Sequence, residues 1–249
     1  MRQAPAFKDH FSAQADAYER FRPDYPPALY AWLAEQAPAR HLAVDVATGN
    51  GQAAIGLAAH FDAVIATEPS AAQLRQARRH ARVEYREERA EAMSLAAGSA
   101  DLVVVAQAAH WFDWPAFVAE CRRVLRPGGV LAIWSYARID VEPGIDRMID
   151  EFSRDVVGPY WPRERRHVDE GYRDLVVPFP AIEAPPFEMS ADWDLQSMLG
   201  YVGTWSAVQR YRVRNSRDPL TLLALPLTVA WGAGRRHTAW PLVLKAHRC

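Results

Sequence analysis

The sequence predicts an α/β protein on a mostly parallel, doubly wound sheet, and three observations carry that prediction. Short apolar runs rich in β-branched residues recur at Leu42–Val46, Ala63–Thr67, 99–106 and 130–134. Runs of this kind, with little polar alternation, mark strands covered on both faces. Segments of helical periodicity separate them, which is the alternation that builds a parallel sheet. The first run breaks into Ala47-Thr48-Gly49-Asn50-Gly51-Gln52, a small-residue turn feeding a helix. A helix N-terminus there favours an anionic ligand group.

Composition narrows the function classes. At 249 residues and 50% hydrophobic, the chain can bury one substantial core, so a single domain over 1–249 is expected. A formal net charge of −1 argues against a nucleic-acid partner held by a phosphate-neutralising surface. Cys121, inside a predicted helix, and Cys249 form no metal or disulfide framework, so no metal and a reducing compartment are expected. No apolar run reaches the ~18 residues of a membrane span. Arg2, Lys8, Asp9 and His10 interrupt any signal-peptide core. The expectation is a cytoplasmic protein with a small-molecule partner and no membrane contact; the sequence sets no oligomeric state.

Residues 1–41 precede the first strand. Phe7, Phe11, Tyr18 and Phe21, at separations of four, seven and three, give one aromatic helix face. Pro23, Pro26 and Pro27 forbid a continuous helix, and a new one is expected over 28–36. After Leu42–Val46, Gly49 and Gly51 offer positions where no Cβ blocks a ligand's approach to the backbone. Small residues over 52–59 suit a helix packed closely on a sheet. The strand Ala63–Thr67 ends at Glu68, in the crevice where open α/β sheets bind ligands. Ser70 and Gln73 have capping-box spacing for a helix running to about Arg79. A short strand is expected at 83–85, followed by a charged stretch containing Glu87, Glu88 and Glu91.

The strand over 99–106 ends in Gln107-Ala108-Ala109-His110-Trp111-Phe112. A histidine just past such an end faces the ligand crevice, which makes His110 the first candidate for chemistry. Gln107 would neighbour a cofactor, and Trp111 would wall the pocket. A helix over 115–125 turns Phe117, Cys121, Val124 and Leu125 inward, and Pro127-Gly128-Gly129 ends it before the strand 130–134. Residues 136–181 are irregular, aromatic and basic, including Tyr160, Trp161, Arg163, Arg165, Arg166, His167 and Tyr172. Large aromatics are not expected on a purely solvated face, so this long connection reads as a binding segment. A strand over 185–190, a helix over 195–211 carrying Tyr201 and Trp205, and an apolar helix Leu220–Trp231 follow. The last strand is expected over 240–246, with Pro241 near its start.

The run Val44-Asp45-Val46-Ala47-Thr48-Gly49-Asn50-Gly51 resembles the first motif, D/E-x-G-x-G-x-G, of class I S-adenosylmethionine-dependent methyltransferases, with Ala47 at the first glycine position. F-S-x-x-A-x-x-Y-x-x-x-R-P-x-Y-P over 11–26 and A-Q-A-x-H-W-F over 106–112 resemble the subgroup that includes trans-aconitate methyltransferases. The run over 122–134, R-R-V-L-R-P-G-G-V-L-A-I-W, looks like the helix-turn-strand unit that follows the fourth motif in class I methyltransferases. The resemblance implies a Rossmann-like class I methyltransferase fold: an N-terminal helical lid over 1–41, a cofactor-binding core over 42–135, substrate-side elements over 136–239 and an antiparallel final strand within 240–249. It implies S-adenosylmethionine as cofactor, with Asp45, Ala47, Gly49, Gly51 and Gln52 at the methionine portion, Glu68 at the ribose, Ala90 and Glu91 at the adenine, and Gln107 alongside. Tyr18, Arg22 and Tyr25 would lean over cofactor and substrate, with Trp111, Trp161 and Trp205 at the substrate.

Methyl transfer is an in-line displacement, so the protein needs two well-aligned slots more than a reactive side chain. A carboxylate acceptor is already ionised and needs no base. Arg22, Arg165 and Arg166 are then the candidates to orient it. For a hydroxyl or amine acceptor, such as a small aromatic or amine metabolite, His110 would take the proton. Two readings compete: a nicotinamide oxidoreductase using Gly49, Gly51 and Ala54 as G-x-G-x-x-A, and a non-catalytic cofactor-binding protein, for which Ala47 is the hint.

Overall fold

The computed structural model describes residues 21–249. The aromatic face assigned to Phe7, Phe11 and Tyr18 lies outside these residues. Helix α1 (Pro27–Gln36) starts on Pro27, whose fixed φ suits the first helical position. Strand β1 (Leu42–Val46) follows, then α2 (Gln52–Ala58), β2 (Ala63–Thr67), α3 (Ala71–Arg75), β3 (Val83–Arg86), β4 (Ala100–Ala106), α4 (Trp114–Val124) and β5 (Leu125–Ser135). The second half contributes α5 (Pro143–Glu151), α6 (Arg165–Asp169), β6 (Ala181–Ile182), β7 (Glu188–Trp193), α7 (Leu195–Gly203), α8 (Ser206–Asn215), α9 (Leu220–Trp231), β8 (Arg236–Pro241) and β9 (Val243–Arg248).

Seven strands form one sheet in the order β3-β2-β1-β4-β5-β9-β6. β1 pairs in parallel with β2 and β4, β2 with β3, and β4 with β5. β9 runs antiparallel between β5 and β6. The strand order reverses at β1 and β4, the switch point where open α/β sheets bind ligands at their carboxyl ends. Both faces are covered by separate apolar clusters, one with Leu29, Leu57, Leu102 and Trp134, the other with Val103, Phe117, Cys121 and Ile133. Cys121 is fully buried, as its inward helix position predicts.

Local chemistry fixes several junctions. Asp101, wholly buried in β4, accepts from the backbone N–H groups of His41 (2.9 Å) and Leu42 (2.8 Å) and pairs with Arg126 at 3.0 Å. It thereby sets where β1 starts beside β4. Gly56 lets α1 close on α2, since a Cβ there would lie 2.1 Å from the Tyr30 ring. Ser70 caps α3 by accepting from the N–H of Gln73, but the helix stops at Arg75. The expected continuation to about Arg79 fails because the chain returns to the glycine turn, with Arg78 N–H donating to the Asn50 carbonyl at 3.0 Å.

Other boundaries also differ from the sequence-based expectation. The helix expected over 195–211 is two helices, broken where Thr204 Oγ1 donates to the Tyr201 carbonyl (2.6 Å) and Gln209 Nε2 to that of Gly203 (2.7 Å). These side chains satisfy carbonyls that a continuous helix would have bonded. The last strand is likewise two: β8 pairs with β7 in a separate two-stranded sheet, and the chain switches sheets at Leu242, whose N–H donates to the Phe187 carbonyl at 2.8 Å. The segment 136–181, irregular in sequence, holds α5, a π-helical turn over 152–156, a 3-10 turn over 158–160 and α6.

Candidate active site

Where β1 ends, three residues adopt left-handed backbone: Ala47 (φ 56°), Gly49 (φ 59°) and Gly51 (φ 86°). For Ala47 this costs on the order of 1–2 kcal/mol relative to a relaxed conformation. Gly51 needs the missing Cβ for a reason the sequence does not announce: a Cβ would lie 2.2 Å from the Tyr85 hydroxyl on β3. The space at Gly51 is thus filled by the chain's own tyrosine. At Gly49 a Cβ would meet Gln73 Oε1 at 3.2 Å.

Two carboxylates stand on adjacent strand tips. Asp45 is fully buried, and its Oδ2 accepts from Thr48 Oγ1 at 2.5 Å while Oδ1 has no hydrogen-bond partner. Burial pushes its pKa up to about 7 against the pull of the Thr48 hydroxyl, and the charge of Glu68 pushes the same way. Glu68, also buried, accepts from Gly49 N–H through Oε2 (3.1 Å) and from Ser70 N–H through Oε1 (3.0 Å), so it spans the two tips. Gln52 reaches back across the turn, its Nε2 donating to the Pro23 carbonyl (2.8 Å) and Asp24 Oδ1 (3.2 Å). Ala90 is buried in the second apolar cluster. Glu91 accepts from Asp113 N–H at 3.0 Å and pairs with Arg89 at 3.4 Å.

Beyond the β4 and β5 tips opens a cleft lined by Arg22, Gln107, His110, Trp111, Tyr136, Trp161, Arg165, Tyr201, Thr204 and Trp205, with Ala137, Pro162, Val168 and Ser206 between them. Gln107, itself at a positive φ of 57°, clamps the two tips: its Nε2 donates to the Tyr136 carbonyl (2.8 Å) and its Oε1 accepts from Tyr136 N–H (3.3 Å). Arg22 donates to the Tyr136 hydroxyl and lies over the Tyr201 ring at 5.1 Å and the Tyr136 ring at 5.7 Å. Arg165 lies over Trp161 at 4.5 Å and donates through Nε to Asp169 at 2.7 Å. Trp161 in turn packs on Trp205, ring centroids 5.6 Å apart. The cleft therefore offers aromatic walls and two guanidinium groups.

His110 joins the cleft on the 3-10 turn over 109–111, its ring 4.7 Å from that of Trp111. Burial, with the Arg165 guanidinium and the His167 ring nearby, lowers its pKa to about 3 and keeps the imidazole neutral.

The sequence-chosen residues thus separate into groups. Arg22, Gln107, His110, Trp111, Trp161, Arg165 and Trp205 meet in one cleft. Asp45, Ala47, Gly49, Gly51, Gln52 and Glu68 meet at the β1 and β2 tips. Tyr25 is instead a core residue, edge-on to Trp134 at 5.4 Å and to Tyr136 at 6.4 Å. Arg166 is exposed and outside the cleft lining, because successive residues of a short helix point to different sides. Tyr18 lies outside the described residues. Sequence reasoning left Tyr136 unassigned, although it follows the carboxyl end of β5 and the same strand-end rule would have found it.

A sheet of this order, with its antiparallel β9 and its acid-tipped neighbouring strands, defines an α/β fold of the methyltransferase type. Residues 44–133 match the family described as methyltransferase domain. A proposed methyltransferase of Dictyostelium discoideum is 35% identical over 218 residues, covering 86% of this chain and 83% of that protein. The solved structure of a proposed type II methyltransferase from Anaeromyxobacter dehalogenans is similar with a TM-score of 0.86 at 46% identity, covering 92% of this chain and 98% of that one. A proposed methyltransferase from an antibiotic biosynthesis pathway of Anabaena variabilis, at 17% identity and a TM-score of 0.57, covering 89% of this chain and 98% of its own, shares the fold. The chain belongs to the S-adenosylmethionine-dependent methyltransferases, and S-adenosylmethionine is its cofactor. That membership displaces the nicotinamide reading of the glycine turn. Among the described residues no helix is long and apolar enough to cross a membrane, and no His, Cys, Asp and Glu cluster could hold a metal ion.

Proposed function

We propose that this methyltransferase methylates an oxygen of a small carboxylate held in the aromatic cleft. The observation that carries the reading is the pair Arg22 and Arg165, two guanidinium groups fixed against tyrosine and tryptophan rings in the wall of one cleft beside the β4 tip. Guanidinium groups match carboxylate geometry and are weakly enough hydrated to work against aromatic faces. A carboxylate nucleophile needs no proton removed, which suits a cleft whose histidine is too weak a base, at about 3, to deprotonate a hydroxyl or an ammonium at neutral pH.

The cofactor would lie along the β1 and β2 tips, and the chain's residues fit it. Asp45 Oδ1 is a buried acceptor with no partner in a site where a second carboxylate, Glu68, adds negative potential. A ligand bearing ammonium and sulfonium charge relieves both. When bound, the cofactor supplies an electrophilic methyl group on sulfur. Asp45 and the left-handed turn from Ala47 to Gly51 hold the methionine portion, Glu68 takes the ribose hydroxyls, and Ala90 and Glu91 border the adenine. Gln107, locked to Tyr136, keeps the wall between the two slots rigid. Arg22 and Arg165 orient the acceptor, and Trp111, Trp161 and Trp205 exclude water from it.

Incubating the protein with methyl-labelled S-adenosylmethionine and matched sets of small acids, alcohols, phenols and amines tests this reading. Label should enter the acids as base-labile esters; label confined to phenols or amines would reject it. Within the acid set, Arg165→Met should raise KM by roughly tenfold or more, the scale of one charge-assisted hydrogen bond, with a smaller change in kcat.

A further inference from the structure

Tyr172 and His110 are 62 residues apart in the chain, and they meet beside the cleft with the phenol oxygen 3.0 Å from His110 Nδ1. Their rings stack, centroids 6.1 Å apart at 26°. The tyrosine is held there with some force. Gly171 and Tyr172 are both left-handed, at φ 61° and 56°, a conformation a tyrosine rarely adopts. Tyr172 N–H donates to the His167 carbonyl at 2.7 Å, and Lys245 Nζ of β9 donates to the Tyr172 carbonyl. The side chain is 1% exposed. Backbone held at such φ by surrounding contacts is a feature to be explained by what it positions.

Which atom carries the shared proton follows from what the buried phenol can bond to. A phenol has one proton to donate and an oxygen that accepts. Among the described residues His110 Nδ1 is the phenol's one hydrogen-bond partner, and burial raises the phenol's pKa well above its ordinary value, so the proton stays on. Buried as it is, the phenol has no other acceptor for that proton, which is therefore directed at Nδ1. An imidazole that accepts at Nδ1 carries its own proton on Nε2.

We propose that Tyr172 is a positioning residue: by donating to His110 Nδ1 it fixes the Nε2–H tautomer, so that the histidine offers the cleft a neutral N–H donor for an oxygen of the methyl acceptor. The tautomer is independent of the acceptor's identity; that its target is a carboxylate oxygen rests on the function proposed above. A neutral donor adds an orienting bond beside Arg165 without a further positive charge to quench the attacking oxygen. Binding that does not weaken the nucleophile in this way leaves the transition state favoured.

Nitrogen NMR of the full-length protein labelled with 15N-histidine tests the tautomer without any acceptor. The His110 signals, identified by their loss in His110→Gln, should show a protonated Nε2 and an unprotonated Nδ1. Tyr172→Phe should abolish that preference while leaving the circular dichroism spectrum unchanged. A protonated Nδ1 in the parent protein, or an unchanged tautomer in Tyr172→Phe, overturns the proposal. With an acid acceptor in hand, His110→Gln, which keeps an amide N–H near the Nε2 position, should stay within roughly tenfold of the parent KM, and His110→Leu should exceed that. Equal losses in the two variants also overturn it. An Nε2–H signal together with methylation of amines or phenols alone would leave the tautomer standing and reject only the carboxylate.

Discussion

Asp45 has no hydrogen-bond partner for one of its two oxygens and lies near a second carboxylate, so in the cofactor-free protein its ionisation is costly. The unfolded chain ionises this group near the ordinary value of 3.8, and the folded chain near 7. Between those values the native state binds the extra proton, so this group's contribution to stability falls as pH rises from about 4 to about 7 and is flat above. Asp45→Asn removes the titration. The difference in unfolding free energy between parent and variant, followed through their melting temperatures, should therefore grow in the variant's favour from pH 4 to pH 7, by a few kcal/mol at most, while the variant binds S-adenosylmethionine more weakly. A pH-independent difference would contradict this account. At this scale the sequence was legible in placement: Asp45, Glu68 and Gln107 stand at the carboxyl ends of their strands, and His110 on the turn just past β4, where the strand pattern puts them. It was silent where a role depends on what packs opposite. Nothing in the glycine motif says that Gly51 faces Tyr85, or that Tyr25 turns into the core against Trp134.

Elements were readable in proportion to how local their causes are. Leu42–Val46, Ala63–Thr67 and Leu220–Trp231 have the bounds that the sequence pattern predicts. The break between α7 and α8 escaped because Thr204 and Gln209 act as caps, and a periodic apolar pattern continues across them. The contact of α1 with α2 turns on Gly56, where two effects oppose. Alanine in a helix interior gains about 1 kcal/mol over glycine, but a methyl group 2.1 Å from the Tyr30 ring overpacks a buried contact. Overpacking costs roughly 1–3 kcal/mol, so Gly56→Ala should destabilise on balance in urea unfolding. The loss should shrink in a Tyr30→Leu background, and strict additivity of the two changes would show that this contact does not limit the site.

For the whole molecule, the alternation of apolar strands and helices in the first 135 residues specifies the parallel half of the sheet, and the resemblance supplies the rest. The pairing of β7 with β8, and the return of the chain into the main sheet at Leu242, carry no comparable pattern because a two-residue β6 and a strand that switches sheets are fixed by distant partners. Ending the chain after residue 242 should leave β5 and β6 without their shared neighbour and remove Lys245 from the Tyr172 carbonyl. That variant should lose cooperative thermal unfolding and cofactor binding together; retention of either would mean that the five strands from β3 to β5 form a self-sufficient unit.

The place of β9 between β5 and β6 has a temporal consequence. During synthesis the ribosome delivers residues 243–248 after every other element described above, yet they form an interior row of the sheet. The nascent protein must therefore hold its far edge ajar, and the tyrosine beside His110 unanchored, until those residues emerge. Catalytic competence would then appear abruptly once those residues have emerged, as a single closing event.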